Sequence, residues 1–293
     1  MRAHSISRRK YISEAISGYT FVLPFVISIS VFIIGPLIYA FIISFKDFSY
    51  LNPSSSHWVG FKNYIGLLND QTFKRALLNT TIYSLFVVPT QLFIALVLAL
   101  VVDSDIKGKT FFRVAYYIPT VTSTVGNTGF LCQDGFSQHP VGNVAHDRAG
   151  LNVNFALPSI MMMAIWSSVG NYMVIFLAGL QDIPTELYEA AEVDGANKFQ
   201  RFIKITLPLL RHVVFFNLVV SLIGTFQIFD QAYVVSGGSG GPLDATMTVV
   251  LDIYKTGFKD FNMGYASAMA FVLFLIILLL TLLQRLLFRE EMY

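Results

Sequence analysis

Long apolar runs alternate with shorter polar segments along this chain. They cover about Tyr19–Ser44, Thr81–Val102, Ala156–Leu180, Val213–Val235 and Met263–Leu283. Each has the roughly 20 residues that carry an α-helix across a bilayer core of about 30 Å. A weaker run, Val114 to Cys132, has 19 residues and contains Pro119, Gly126, Asn127 and Gly129. The pattern predicts an all-α, polytopic membrane protein with six transmembrane helices. Its parts are a tail (1–18), a first span (19–44), an outer loop (45–78), a core of five spans (79–288) and a short tail (289–293). Pro24 and Pro36 are tolerable in the first span where neighbouring groups satisfy the freed backbone.

Composition sharpens that picture. The chain of 293 residues is 55% hydrophobic and 13% charged, with a mean hydropathy of +0.62. Soluble domains carry about a quarter charged residues. A net charge of +2 gives no ground for nucleic-acid binding. The single cysteine, Cys132, excludes an internal disulfide and makes a thiolate metal cluster implausible. The sequence has no G-x-x-x-x-G-K-[ST] phosphate loop, so any ATP that drives it is expected on a partner.

Orientation follows the placement of Lys and Arg. Thirteen stand on the segments that share a side with the N-terminus, namely 1–18, 103–113, 181–212 and 285–293, against seven on the other side. Both termini and the 181–212 loop are therefore expected in the cytoplasm. The third run must cross for this count to hold.

The 181–212 loop is the longest charged island between spans. Pro184 and Glu186 open a helix, since a proline fits the first turn and an acid meets its positive dipole end. Leu187, Ala190 and Ala191 share one face. Asp194 and Gly195 break the helix. Asn197 caps a second helix with Gln200 as its capping-box partner. That helix sets Phe199, Phe202 and Ile203 against Lys198, Arg201 and Lys204, and Pro208 marks re-entry into an apolar run. By physics alone, this loop also reads as a basic amphipathic linker on the lipid surface.

The words of the loop decide between them. Glu189-Ala190-Ala191, then Asp194-Gly195-Ala196, then Ile205-Thr206-Leu207-Pro208 resemble the EAA loop of ABC-importer membrane subunits. About ten positions agree at fixed spacing; the one departure is His212, where sugar-importer members often carry a second proline. The resemblance implies that Glu189, Ala190, Ala191, Asp194, Gly195, Ala196, Ile205, Leu207 and Pro208 couple this chain to a cytoplasmic ATPase.

Other segments fit the sugar-importing permeases of the maltose, multiple-sugar and glycerol-phosphate type. Gly60, Asn63, Tyr64, Ala76, Asn79 and Thr80 resemble their outer-loop pattern. Phe226 to Tyr233 resembles their F-D-x-x-Y element, with Gly237-Gly238 and Gly241-Pro242 after it, and Gly264-Tyr265 opening the last span also fits. The resemblance implies that Gln227, Phe229, Asp230 and Tyr233 line the substrate path. Independently, polar groups inside spans are costly and usually face a cavity or a partner. Asn217, Gln227, Asp230 and Gln231 all fall in the fifth apolar run. Aromatic faces beside amides and a carboxylate suit sugars. Asp230 also reads simply as a residue at the wet interface, and Trp166 and Asn171 in the fourth run are weaker path candidates.

Residues 126–150 fit nothing around them, with five glycines, two histidines, two aspartates and an arginine. Three explanations stay open: a variant with a short third span, a metal site on Cys132, His139 and His146, or an insert made by compensating frameshifts. The third has the most to say for it, and the histidine spacing matches no usual ligand pattern.

The resemblance implies an alternating-access permease without covalent chemistry or a cofactor of its own, ATP and Mg being held by a partner. Expected partners are a second homologous permease, two ATPase subunits, an extracytoplasmic solute-binding protein and membrane lipid, in a bacterial inner membrane. The readings set against it are an ion-coupled secondary transporter, which wants several intramembrane acids, and a non-transporting membrane scaffold.

Overall fold

The computed structural model describes residues 8–104, 108–122 and 153–289. In chain order its elements are α1 (Arg8–Ile29) and α2 (Gly35–Ser44), the strands β1 (Lys46–Asp47) and β2 (His57–Trp58), α3 (Lys62–Leu67), α4 (Gln71–Asp103) and α5 (Lys109–Val121). After the undescribed stretch come α6 (Val153–Gln181), α7 (Thr185–Val193), α8 (Lys198–Arg201), α9 (Leu207–Leu209), α10 (Arg211–Phe226), α11 (Asp230–Ser236), α12 (Val249–Tyr254) and α13 (Met263–Arg289).

Among the described residues, five helical stretches are long and apolar enough to cross a membrane: Ser17–Ser44, Gln71–Asp103, Phe155–Gln181, Arg211–Ser236 and Met263–Phe288. The expected third span is described only as far as α5 and Thr122; its remainder, and the whole of 126–150 with Cys132, His139 and His146, lie outside the described residues.

Two buried clusters hold the bundle. One joins α4, α6 and α10 through Val87, Leu92, Ile160, Met173, Phe176 and Leu210. The other joins the start of α4 to the end of α10, α12 and α13 through Phe73, Phe226, Leu251, Met269 and Leu273. The first span leans against α13 at its far end only, where the Phe41 and Phe271 rings meet edge-on at 5.0 Å. Its Phe21, Phe25 and Phe32 are exposed, as suits a helix whose solvent is lipid or a partner span.

Two prolines are absorbed by the same device. A proline offers no N–H to the helix ladder and crowds the preceding turn. Before Pro36 the helix widens into a π turn, Ser30–Ile34, and the Gly35 amide reaches back to the Ser30 carbonyl. Before Pro208 it widens again over Phe202–Thr206, and the Leu207 amide reaches Phe202.

Three stretches hold structure that the apolar runs do not mark. The second span begins at Gln71, ten residues before its apolar run, because the Asp70 carboxylate accepts from the Thr72 and Phe73 amides and caps the helix early. The fifth apolar run is two helices, α10 and α11, separated at Gln227–Phe229. The polar connection 236–262 holds structure of its own, a 3₁₀ turn at Pro242–Asp244, α12 and a π turn at Lys255–Lys259.

Candidate functional site

The polar residues between the first two apolar runs prove to be latches. Asn63 donates from Nδ2 to the Ser44 and Lys46 carbonyls at 2.8 and 3.0 Å, and Tyr64 and Ser44 share a hydroxyl contact of 2.7 Å. These bonds tie α3 to the end of the first span. Asn79 donates to the Asp244 and Met247 carbonyls at 2.8 and 3.0 Å, and Thr80 accepts from the Val249 amide at 3.1 Å. These tie α4 to the segment before α12. Tyr265 donates to the second Asp70 oxygen at 2.9 Å. Close by, Asp252 is buried with one carboxylate oxygen lacking any partner among the described residues. Burial first, and then the charges of Asp70, Asp244 and Asp260, push its carboxyl up to about 7 against the opposing pull of Lys255.

The break in the fifth run makes a cavity. Gln227 ends α10, Phe229 leaves the helical region at φ −133°, and Asp230 starts α11. The freed Ile228 carbonyl is taken by the Thr248 hydroxyl at 3.0 Å. Discontinuous helices in membranes persist where their loose backbone is buried in protein or lines a cavity. Here residues 227–231 border a space of about 300 Å³, whose other walls include Tyr83, Gln91, Ser168, Tyr172, Ser221 and Thr225. That volume falls at the lower end of ordinary ligand sites. Its wall joins three helices. Gln91 donates to Ser221, Ser168 donates to Gln91, and Ser84 donates to Thr225. The lining is rich in hydroxyls and amides, with Asp230 its one charged side chain among the described residues.

Gln227, Phe229 and Asp230 all border this cavity. Tyr233 stands behind them, its ring 5.3 Å from that of Phe229. Tyr254 packs on both, at 5.2 and 5.5 Å, and Phe258 on Tyr254 at 5.4 Å. Trp166 and Asn171 are exposed and absent from the lining. Sequence reasoning missed Tyr83, Gln91, Ser168, Tyr172, Ser221, Thr225 and the two added aromatics. Gln91 did carry a signal, as the single amide of the second apolar run.

At the opposite end stands the 181–212 loop. α7 ends in a Schellman motif: the Ala196 amide reaches the Ala191 carbonyl at 2.9 Å and the Gly195 amide reaches Glu192 at 3.0 Å. Gly195 sits at φ +79°, where a side chain would be strained. The expected capping box is present, with Asn197 and Gln200 exchanging bonds of 2.8 and 2.9 Å. Tyr188 meets Thr206 at 2.9 Å, and Arg201 reaches across the turn to Glu192 at 3.0 Å. Glu189, Ala190, Asp194, Gly195, Leu207 and Pro208 are exposed, while Ala191, Ala196 and Ile205 are half-buried. Exposed apolar side chains stand beside them, with Val193 at 89% and Phe199 at 69%. The folded loop is a hairpin of two short arms with an uncovered apolar edge.

A bundle of membrane spans, an interrupted helix around a polar cavity and a projecting helical hairpin define an integral-membrane transport subunit. The match to known proteins is direct. Residues 5–291 match the family described as binding-protein-dependent transport system inner membrane component, and the chain belongs to that family. It is 35% identical to the probable ABC transporter permease protein YesP of Bacillus subtilis, over 96% of this chain and 92% of that one. It is 34% identical to the arabinooligosaccharides transport system permease protein AraP of the same organism, over 94% and 90%. Its identity to the lactose transport system permease protein LacF of Rhizobium radiobacter is 31%, over 92% and 93%. The fold is that of a chain in a bacterial ABC transporter that imports alginate, with a TM-score of 0.80 at 23% identity over 97% of this chain and 99% of that one.

Proposed function

We propose that this chain is one permease subunit of an ATP-driven importer for a neutral sugar or oligosaccharide. The observation that carries the reading is the cavity at the helix break, walled by amides and hydroxyls and flanked by Phe229 and Tyr233. Each sugar hydroxyl needs a donor and an acceptor, and the CH faces of the ring favour aromatic surfaces. Among the described residues the lining holds no Lys or Arg, which favours a neutral solute over a phosphorylated one. The names of AraP and LacF support the same class.

In this reading six spans cross the membrane, both termini and the 181–212 hairpin are cytoplasmic, and the cavity opens on the outer side. The Lys and Arg distribution supports this orientation. Val193, Phe199 and the EAA and DGA residues dock on an ATPase subunit, which supplies the ATP and Mg site. A second homologous permease completes the path. An extracytoplasmic binding protein delivers the solute, as in the alginate transporter crystallised with its pentasaccharide-bound periplasmic protein. ATP binding moves the hairpin, and the bundle switches between two arrangements as a rigid body.

The test is ATPase activity of the whole complex in liposomes with its binding protein, against arabino-oligosaccharides, lactose and glycerol 3-phosphate. Stimulation by a neutral oligosaccharide supports the reading; stimulation by glycerol 3-phosphate alone contradicts it.

A further inference from the structure

Asn217 is fully buried in α10, and neither its amide nitrogen nor its carbonyl oxygen has a hydrogen-bond partner among the described residues. Buried polar groups are nearly always paired, and in a bilayer no bulk water relieves one that is not. A purely structural asparagine here would be expected to hold a neighbour's backbone, as Asn63 and Asn79 do elsewhere in the molecule. Asn217 holds none among the described residues.

Its position says what the amide is for. Thr225, Ser221 and Asn217 follow one another at intervals of four along α10, and all three are buried. Each step turns only about 40° around the helix, so the three make one slowly drifting polar stripe. Thr225 and Ser221 line the cavity, and Ser221 is bonded to Gln91, which is bonded to Ser168. That chain of bonds ties α10, α4 and α6 together across the cavity's inner end. Asn217 lies one turn further from the helix break, toward Arg211 and the hairpin.

We propose that Asn217 is a second polar station of the translocation path, one turn beyond the Ser168–Gln91–Ser221 bridge. It takes water, or the hydroxyls of a neutral polyhydroxylated solute, once that bridge opens. The inference rests on the cavity being the path. In the present arrangement the bridge closes the column, and Asn217 waits beneath it. When the helices separate, the released Gln91 amide and Asn217 offer a solute new partners one turn apart, so leaving the cavity does not strip its hydroxyls bare.

Cysteine labelling tests this whatever the solute is. In a Cys132→Ser background, Asn217→Cys, Ser221→Cys and Thr225→Cys are purified as the assembled complex with the partner permease and ATPase subunits. Each is treated with a cationic, water-soluble methanethiosulfonate, nucleotide-free and trapped with ATP and vanadate. The expected result is that Cys at 217 reacts within about tenfold of Cys at 221 in one state, and that its rate changes at least about fivefold between states. A rate more than about a hundredfold below that at 221 in both states, with 221 and 225 reactive, overturns the proposal and leaves the cavity as the path. If all three positions refuse the reagent in both states, the path reading itself falls and the proposal falls with it.

Discussion

The two polar regions of this molecule are built in opposite ways. The hairpin at 185–209 is closed by bonds between residues close in sequence, Ala196 to Ala191, Asn197 to Gln200, Arg201 to Glu192. Most of it is exposed. The cavity is closed by bonds that reach across the chain, Gln91 to Ser221, Ser168 to Gln91, Ser84 to Thr225. Nearly all of those groups are buried. An exposed surface can be specified locally. A polar cavity inside a bundle is specified by several helices at once, because these side chains find their partners on a neighbouring helix.

The sharpest break of the comparison is expected at Gly170. A Cβ there would collide with the Tyr116 carbonyl oxygen, a backbone atom with little room to yield. Gly170→Val should force α5 away from α6 beside the cavity wall and abolish recovery of a monodisperse complex from detergent. An equally bulky change on the hairpin face, Val193→Phe, should leave the spans intact by the same gel-filtration measure.

Gln91→Leu comes next. It removes the bridge between Ser168 and Ser221, but the one hydroxyl hydrogen of Ser168 then goes to the Ala164 carbonyl 2.7 Å away. The stability loss is therefore expected to be modest, about 1–2 kcal/mol, read as a lowered thermal midpoint. ATP-driven solute turnover should fall about tenfold or more, the equivalent of about 1.4 kcal/mol in the barrier. Retained turnover at a lowered midpoint would make the bridge structural only.

Asp252 separates the latch at α12 from both regions. Its carboxyl is held up to about 7 chiefly by burial. A carboxyl raised in the folded state contributes stability while protonated, which is lost as pH climbs from the ordinary carboxylate range through about 7. The thermal midpoint should drop across that interval in the parent chain, and Asp252→Asn should flatten the drop. An unchanged slope in the variant would assign the pH dependence elsewhere.

The smallest effect belongs to Arg201→Ala. Its partner Glu192 has a side chain 72% exposed, and exposed ion pairs contribute about 0–1 kcal/mol. The thermal midpoint should barely move, and transport should fall less than about twofold.

What could be read from the sequence follows the same division. The EAA and DGA words, the Asn197–Gln200 box and the break at Gly195 were legible because each is a local rule with fixed spacing. Gln227 and Asp230 were legible because they interrupt an apolar run, and Phe229 through the resemblance to the F-D-x-x-Y element. Ser168, Ser221 and Thr225 were not, since a hydroxyl inside a span commonly bonds the carbonyl one turn back and leaves no mark on hydropathy. The early start of α4 was hidden for a related reason. Asn79 and Thr80 look like loop residues, but they sit on a helix whose polar face is paired with the segment before Val249. The five spans found among the described residues were legible from their apolar runs; their breaks and their partners were decided by contacts between distant segments.

The central claim is that the hairpin is the arm through which an ATPase partner acts on the spans. The most direct test is to tag this chain, express it with its neighbouring genes, extract it in mild detergent and ask what accompanies it. The parent chain and Gly195→Glu would be compared side by side. The account predicts that an ATPase subunit comes with the parent and is lost with Gly195→Glu, while the partner permease is retained by both. An ATPase retained by Gly195→Glu at parental yield would contradict it.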